Sequence, residues 1–243
     1  GMFVCTLIAM FPFVRGKLTL KFCKPHFHFH MIRQIVAGGS PSFLNNVAGR
    51  LTSIIMNVVL MQMGGSVAVS VYGVLVYAGD TILQLLYGTC DGMQPAIGYN
   101  WGAGDKSRVK SLIKCCIAAC SVISVMGTVL MLLIPETIAS LFMQESEKEV
   151  LEMATYALRI YGLTYLTRWF GFAVQSFLTA LEVPVPATIL SVSNALIIPV
   201  ALLPVLWVLQ LDGIWLNTPI TSLLVSLLAL FFFMRLRKNL KVL

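Results

Sequence analysis

Apolar residues run along this chain in long blocks, and short polar or glycine-rich stretches separate them. The blocks cover residues 40–62, 66–90, 112–134, 153–180, 187–209 and 213–234. Each is long enough for the roughly 20 residues that a helix needs to cross a hydrocarbon core. Ahead of them, residues 2–14 (MFVCTLIAMFPFV) are apolar but make only about half a span. No basic stretch precedes this segment and no small-residue cleavage site follows it, so 1–14 reads as the end of a truncated membrane helix, not as a signal peptide. The pattern predicts an all-α polytopic membrane protein: a six-helix lobe over 40–234 plus a partial N-terminal helix. A basic interfacial linker at 15–39 and a basic tail at 235–243 complete it.

Polar residues inside the blocks are few and patterned. In the first block Asn46, Arg50, Ser53 and Asn57 fall within a stripe of roughly 60° at 100° per residue. In the second, Tyr77, Asp80, Gln84, Tyr87 and Asp91 fall within about 80° on the same arithmetic. Gly64-Gly65 predicts a tight turn between these helices, and reflection about it sets Arg50 level with about residue 79, beside Asp80. Charges at bilayer depth are costly and face a cavity or a partner. Arg50 and Asp80 are therefore expected to approach each other in a polar cavity. Two readings stay open: Asp80 exchanges a proton or cation, with Arg50 as its partner, or the two form a permanent structural ion pair. The fourth block carries Tyr161, Thr164, Tyr165, Arg168, Gln175 and Thr179 on one side. Aromatic and amide groups around a cavity suit flat amphiphilic molecules, although they could equally join helices within the bundle.

Composition agrees with the pattern. The chain is 58% hydrophobic and 11% charged, with a mean hydropathy of +0.88. An ordinary soluble domain is nearer half apolar and a quarter charged. The net charge of +7 does not point to nucleic acid, because the cations sit in alternate loops. Thirteen of the 17 Lys and Arg fall in 15–39, in the loop with Lys106, Arg108, Lys110 and Lys114, or in the C-terminal tail. The intervening loops carry Glu136, Glu145, Glu147, Glu149 and Asp212 with Lys148. The positive-inside rule then predicts a cytoplasmic linker, 98–111 loop and C-terminus in the cell (inner) membrane.

Other chemistry is thin. Gly102-x-Gly104 lacks a third glycine at Ser107 and follows a membrane helix, so it is no dinucleotide fingerprint; no Gly-Lys pair supports a P-loop. His26, His28 and His30 would share one side of a strand, but beside Lys24-Pro25 they read as an interfacial segment, and no metal site is expected. The six cysteines show no C-x-x-C spacing and read as small apolar filler without disulfides. There is no H-E-x-x-H, no G-x-S-x-G and no closely spaced acid pair, so no enzyme is expected.

The segment GMQPAIGYNWGAGDKSRVK (92–110) resembles the close of the second helix in the C-terminal half of bacterial multidrug and toxic compound extrusion (MATE) transporters. The matching residues are Gln94, Pro95, Gly98, Tyr99, Asn100, Gly102, Ala103, Arg108, Val109 and Lys110, with Trp101 in place of a tyrosine. GGSPSFL (38–44), SLFMQESEKEVLEMATYALRIYGL (140–163), SFLTALEVPVPA (176–187) and LDGIWLNTPI (211–220) resemble further landmarks in the same order. There are departures: Glu182 and Val183 stand where Gly-Lys is common, Asn194 where arginine often sits, and Asp91 where a neutral polar residue is usual. Some members carry sodium-coupling acids in the first and fourth helices of this half, and 40–62 and 153–180 contain none.

The resemblance implies one lobe of a two-lobe, twelve-helix exporter that moves organic, cationic or amphiphilic compounds by alternating access. The coupling ion would be H+ or Na+, with no other cofactor. Asp80 and Arg50 are expected at the coupling site, and Asn46, Asn57, Tyr77, Gln84, Tyr165, Arg168 and Gln175 along the substrate path. Gln94, Pro95, Gly98, Tyr99, Asn100 and Gly102 would form a gating corner at the cytoplasmic mouth, where Pro95 loosens the helix end. The expected partners are the lipid bilayer, small organic substrates, and either a missing N-terminal half or a second copy, since alternating access needs two repeats. A flippase for lipid-linked precursors and a non-transporting remnant are the alternatives.

Overall fold

The computed structural model describes residues 4–6, 10–11, 15, 28–142 and 148–240, without the side chains at 41, 42, 149 and 237–240. Residues 1–3, 7–9 and 12–14 of the segment read as a helix end, residues 16–27 of the 15–39 linker with His26 and Cys23, and Glu145, Glu147 and Lys241 lie outside the described residues. The chain divides into two units, Gly1–Val36 and Ala37–Leu243. In the first, residues 4–6, 10–11 and 29–36 are helical. The second is the helical lobe.

The lobe's described residues are almost entirely helical. The helical run Phe29–Gly102 is broken at Gly65 (φ 66°, ψ −158°), a conformation open to glycine and forbidden to most residues. Its parts within the lobe are α1 (37–64) and α2 (66–102). Then follow α3 (Lys106–Leu133), α4 (Pro135–Phe142), α5 (Lys148–Gly162), α6 (Tyr165–Ala180) and α7 (Pro184–Val192). A π-helical turn at Ser193–Ile197 leads into α8 (Ile198–Leu206), and a short 3-10 turn at Trp207–Leu209 into α9 (Gln210–Leu240). Phe43–Gly102, Lys106–Leu133 and Pro184–Leu236 are long and apolar enough to cross a membrane. The breaks at Gly65 and at Gln210, which has φ 55°, divide the first and third of these into two passes each.

Three boundaries differ from the sequence expectation. The second helix does not loosen at Pro95 but runs on to Gly102, which makes α2 about 55 Å long at 1.5 Å per residue. The turn falls two residues later, at Gly104 (φ 77°), and Asp105 caps α3 by accepting from the Arg108 N–H at 3.0 Å. The block 153–180 is not one helix. It breaks at Leu163-Thr164, where Leu163 and Thr164 donate back three residues to Ile160 and Tyr161. The expected span 187–209 is α7, the π turn and α8 in succession.

The break between α5 and α6 is held from both sides. Ser124 of α3 donates to the Tyr165 carbonyl. Ser222 and Ser226 of α9 donate to the carbonyls of Thr164 and Thr167 at 3.3 and 2.6 Å. Lipid offers no replacement hydrogen bonds, so a helix can break at this depth only where neighbouring hydroxyls supply them. Helix α6 thus lies at the centre, packed on α3, α7 and α9. It reaches α2 through Tyr165, whose hydroxyl donates to the Gly79 carbonyl at 2.9 Å, and through a Tyr87–Phe172 ring contact at 4.2 Å.

Helix α6 ends in a Schellman motif. Val183 N–H donates to the Leu178 carbonyl at 2.9 Å and Glu182 N–H to that of Thr179 at 3.1 Å. The left-handed residue this motif requires is Glu182, at φ 58°, where the resembled family commonly has glycine. A left-handed residue with a Cβ costs roughly 1–2 kcal/mol. Glu182→Gly is therefore expected to stabilise the protein by about 1 kcal/mol, read as a raised melting temperature in detergent; an unchanged or lowered value refutes the strain. Gly79 tests the packing. A Cβ there would meet the Tyr161 ring at 2.7 Å, while one at Gly88 would meet nothing within 4 Å. Gly79→Ala should cost about 1–3 kcal/mol through overpacking, and Gly88→Ala should leave the melting temperature where it was.

Candidate functional site

The lobe carries a polar cavity of about 320 Å³. Helix α1 contributes Asn45, Asn46, Gly49, Arg50, Thr52, Ser53 and Met56; α2 contributes Tyr72, Val76, Asp80, Leu83 and Tyr87. Tyr161 of α5 and Arg168 of α6 enter on either side of the helix break. Asn194 and Ala195 come from the π turn, Pro199 from α8, and Asn217, Thr218 and Thr221 from α9. The cavity therefore has a wall from every membrane pass of the lobe except α3.

Local structure explains how the π turn reaches it. Thr52 of α1 donates to the Ala195 carbonyl at 2.5 Å, which anchors the widened turn to α1. Asn217 of α9 donates to the Pro199 carbonyl at 2.9 Å and accepts from Thr221 at 3.4 Å. Pro199 and Pro204 cannot donate backbone N–H groups, so α7–α8 has fewer internal bonds than an ordinary helix and leans on side chains of α1 and α9. A π turn of this kind commonly marks a functional position.

Arg50, Asp80 and Arg168 supply the charge, two cations to one carboxylate. Among the described residues, no hydrogen bond or ion pair within 4.0 Å joins Arg50 to Asp80. They share the cavity but do not form the permanent pair considered from sequence. Both are exposed on the lobe, as is Asn46, so the cavity opens to one side. Arg168 is half-buried and shares its surroundings with the hydroxyl-bearing side chains of Tyr87, Tyr161 and Tyr165.

The remaining sequence candidates separate. Asn46 and Arg168 line the cavity. Asn57 instead donates within its own helix to the Ser53 carbonyl at 2.9 Å. Tyr77 (68% exposed) and Gln84 are exposed and are not among the residues lining the cavity. Tyr165 is fully buried and spends its hydroxyl on Gly79. Gln175 lines a small adjoining pocket with Arg168, Asn194 and Ser222. The helical periodicity placed these residues on one side of their helices, but a helix buried on three sides presents that side to neighbours as well as to the cavity. The α9 residues Asn217, Thr218 and Thr221 were missed, although Asn217 and Thr221 stand four apart in LNTPITS, a readable stripe.

The 94–102 segment is helical and not a loop. Gln94 donates from Nε2 to Asp91 Oδ1 at 2.8 Å and to Ser176 Oγ at 2.9 Å; Ser176 in turn donates to the Cys90 carbonyl at 3.1 Å. A Cβ on Gly98 would stand 3.5 Å from the Ala180 carbonyl, so α2 passes close to the end of α6. Asn100 donates to the Ala96 carbonyl at 2.7 Å, Pro95 and Gly102 stay within the helix, and Tyr99 is 79% exposed.

The MatE family model matches residues 41–205, more than half of the chain and most of the cavity's walls. The chain belongs to this family, the multidrug and toxic compound extrusion transporters. It is 29% identical over 184 residues to the multidrug export protein MepA of Staphylococcus aureus (strain MSSA476), covering 75% of this chain and 40% of that protein. For MepA of the bovine strain RF122 / ET3-1 the figures are 27% over 229 residues, 93% and 49%. The chain thus spans less than half the length of these relatives. Among solved structures, a MATE protein in complex with MaL6 superposes with a TM-score of 0.88 at 18% identity, covering 97% of this chain and 54% of that one. A MOP superfamily transporter from Pyrococcus furiosus gives 0.85 at 18%, covering 95% and 52%. At these identities the likeness establishes the fold, an all-α membrane transporter lobe.

Water should fill the cavity. Cysteine at Asn46 is expected to react with a membrane-impermeant charged thiol reagent above the background of the native cysteines. Cysteine at Val58, on the apolar side of α1, is expected to stay at that background. Equal labelling of both refutes the assignment.

Proposed function

We propose that this chain is one lobe of a secondary active exporter that moves organic compounds across the cell membrane by cation-coupled antiport. The observation that carries the reading is Asp80: a lone carboxylate, without a hydrogen bond or ion pair among the described residues, on the wall of a cavity it shares with Arg50 and Arg168. Charge at this depth is costly unless it faces water or a cargo. An unpaired carboxylate can take up H+ or Na+, and Arg50 across the same cavity is the counter-charge that would favour its release. Asp80 is the coupling group of this lobe, and Arg50 its partner.

Asn46, Tyr87, Tyr161, Arg168, Asn217 and Thr221 offer the cargo aromatic faces and amide or hydroxyl groups, a surface suited to amphiphilic molecules. Two arginines against one aspartate leave this wall positive, so a cationic cargo needs the ionised Asp80 or acids on a facing lobe. The open side of the cavity, with Asn46, Arg50 and Asp80 exposed on it, supports a second lobe as partner: an N-terminal half or another copy of this one. The basic loop at 106–114 and the basic tail support a cytoplasmic C-terminus, and with it residues 94–102 at the cytoplasmic mouth.

Efflux of a fluorescent dye by the assembled transporter tests the assignment. Asp80→Asn should abolish gradient-driven efflux while the protein still reaches the membrane at its native size on a blue-native gel. Wild-type efflux by both Asp80→Asn and the Arg50→Gln/Asp80→Asn double variant would overturn the coupling role. A monomer on the native gel that moves no dye would favour a non-transporting chain.

A further inference from the structure

Away from the cavity, three thiols converge between α2 and α3. The Cys90 sulfur lies 3.4 Å from that of Cys120, Cys116 lies 4.0 Å from Cys120, and all three sulfurs fall within 4.8 Å of one another. They are buried, with exposures of 0%, 1% and 0% for Cys90, Cys116 and Cys120. The fold produces the cluster directly. Cys116 and Cys120 stand four apart on one face of α3, and the turn at Gly104 sets Cys90 level with about residue 118, between them. Ser176 fixes the backbone at Cys90 by donating to its carbonyl.

We propose that Cys90, Cys116 and Cys120 form a three-sulfur binding site for a thiophilic trivalent metalloid, arsenic(III) or antimony(III), taken up as its neutral trihydroxide. Bonds of about 2.3 Å at the angles of roughly 95–100° of a pyramidal centre place three sulfurs about 3.5 Å apart, close to the 3.4 Å between Cys90 and Cys120 and within reach of the other two separations. Sulfur selects soft ions. The group of potential ligands among the described residues contains no fourth member, which does not suit the tetrahedral shell of structural zinc. Charge narrows the choice further. Three thiolates around a monovalent or divalent ion would leave net negative charge in a buried, apolar place, at a cost of several kcal/mol. Three thiolates around a trivalent centre are neutral.

The exchange is neutral at both ends. Each thiol gives its proton to one hydroxide on the metalloid, three metalloid–oxygen bonds break as three metalloid–sulfur bonds form, and three waters leave. No oxidation state changes, and no free thiolate has to exist in the apolar interior. The product ties α2 to α3 one turn before Gln94, so bound metalloid fixes this hairpin.

The test uses the protein purified from membranes under reducing conditions, treated with sodium arsenite and desalted. The expected result is one arsenic retained per chain, with an X-ray absorption spectrum of three sulfur neighbours and no oxygen. Cys90→Ser, Cys116→Ser and Cys120→Ser should each lose it; Cys115→Ser, at an exposed neighbour, should keep it. The spectrum of the unmutated protein stands even where a variant misfolds. No retained arsenic, two-sulfur coordination, or full retention in Cys120→Ser would overturn the site. So would a Cys90–Cys120 disulfide that forms on mild oxidation in a protein that retains no arsenic.

Discussion

The lobe depends on one constraint: backbone hydrogen bonds broken inside a membrane must be remade by side chains, because lipid cannot make them. The constraint is sharpest at Leu163-Thr164, where α5 gives way to α6. The carbonyls around that break are met by Ser124 from α3 and by Ser222 and Ser226 from α9. Those bonds fix α6 against both neighbours and so place Arg168 and Tyr161 on the two sides of one cavity. The same device recurs at the π turn, where Thr52 and Asn217 serve carbonyls of a helix weakened by its prolines.

Polar residues in this fold therefore do two jobs, and the position of each donor decides which. Tyr165, Ser176, Ser222 and Thr52 spend their hydrogen bonds on backbone carbonyls and hold helices together. Arg50 and Asp80 form none with the described residues and face open space. The contrast separates scaffold from working surface within a set of residues that looks uniform by composition.

Much of the architecture is legible in the sequence. Hydropathy alone marks the long apolar helices, because a hydrocarbon core tolerates little else. Gly64-Gly65 marks the first hairpin, since a left-handed residue there calls for glycine. The α5–α6 break is invisible to hydropathy, which continues unchanged across Leu163-Thr164; its cause lies in serines some 40 to 60 residues away in sequence. The run of α2 past Pro95 is equally hidden, because only packing against the end of α6 shows what sustains it. Periodicity found Asn46, Arg50, Asp80 and Arg168 but also collected Tyr77, Gln84 and Asn57, because it reports a direction around a helix and not what stands in that direction. The cysteine cluster escaped for a different reason: its spacing is non-local, and only the register of the α2–α3 hairpin makes 90, 116 and 120 neighbours.

The π turn at Ser193–Ile197 has a consequence for how this chain tolerates change in length. A five-residue closure holds one residue more than an α-helical turn of the same rise, so α7 and α8 stand out of phase by about one residue's rotation, roughly 100°. Asn194 and Ala195 face the cavity from the site of that surplus. A single-residue deletion elsewhere in a packed helix would rotate everything beyond it and scramble the buried face. Here the same deletion could be absorbed on the spot, with α7 and α8 drawn into one continuous helix and the Ala195 carbonyl withdrawn from Thr52. The segment is a stored dislocation, a place on this wall where the helix can lose a residue's turn without the rest of the lobe being recut.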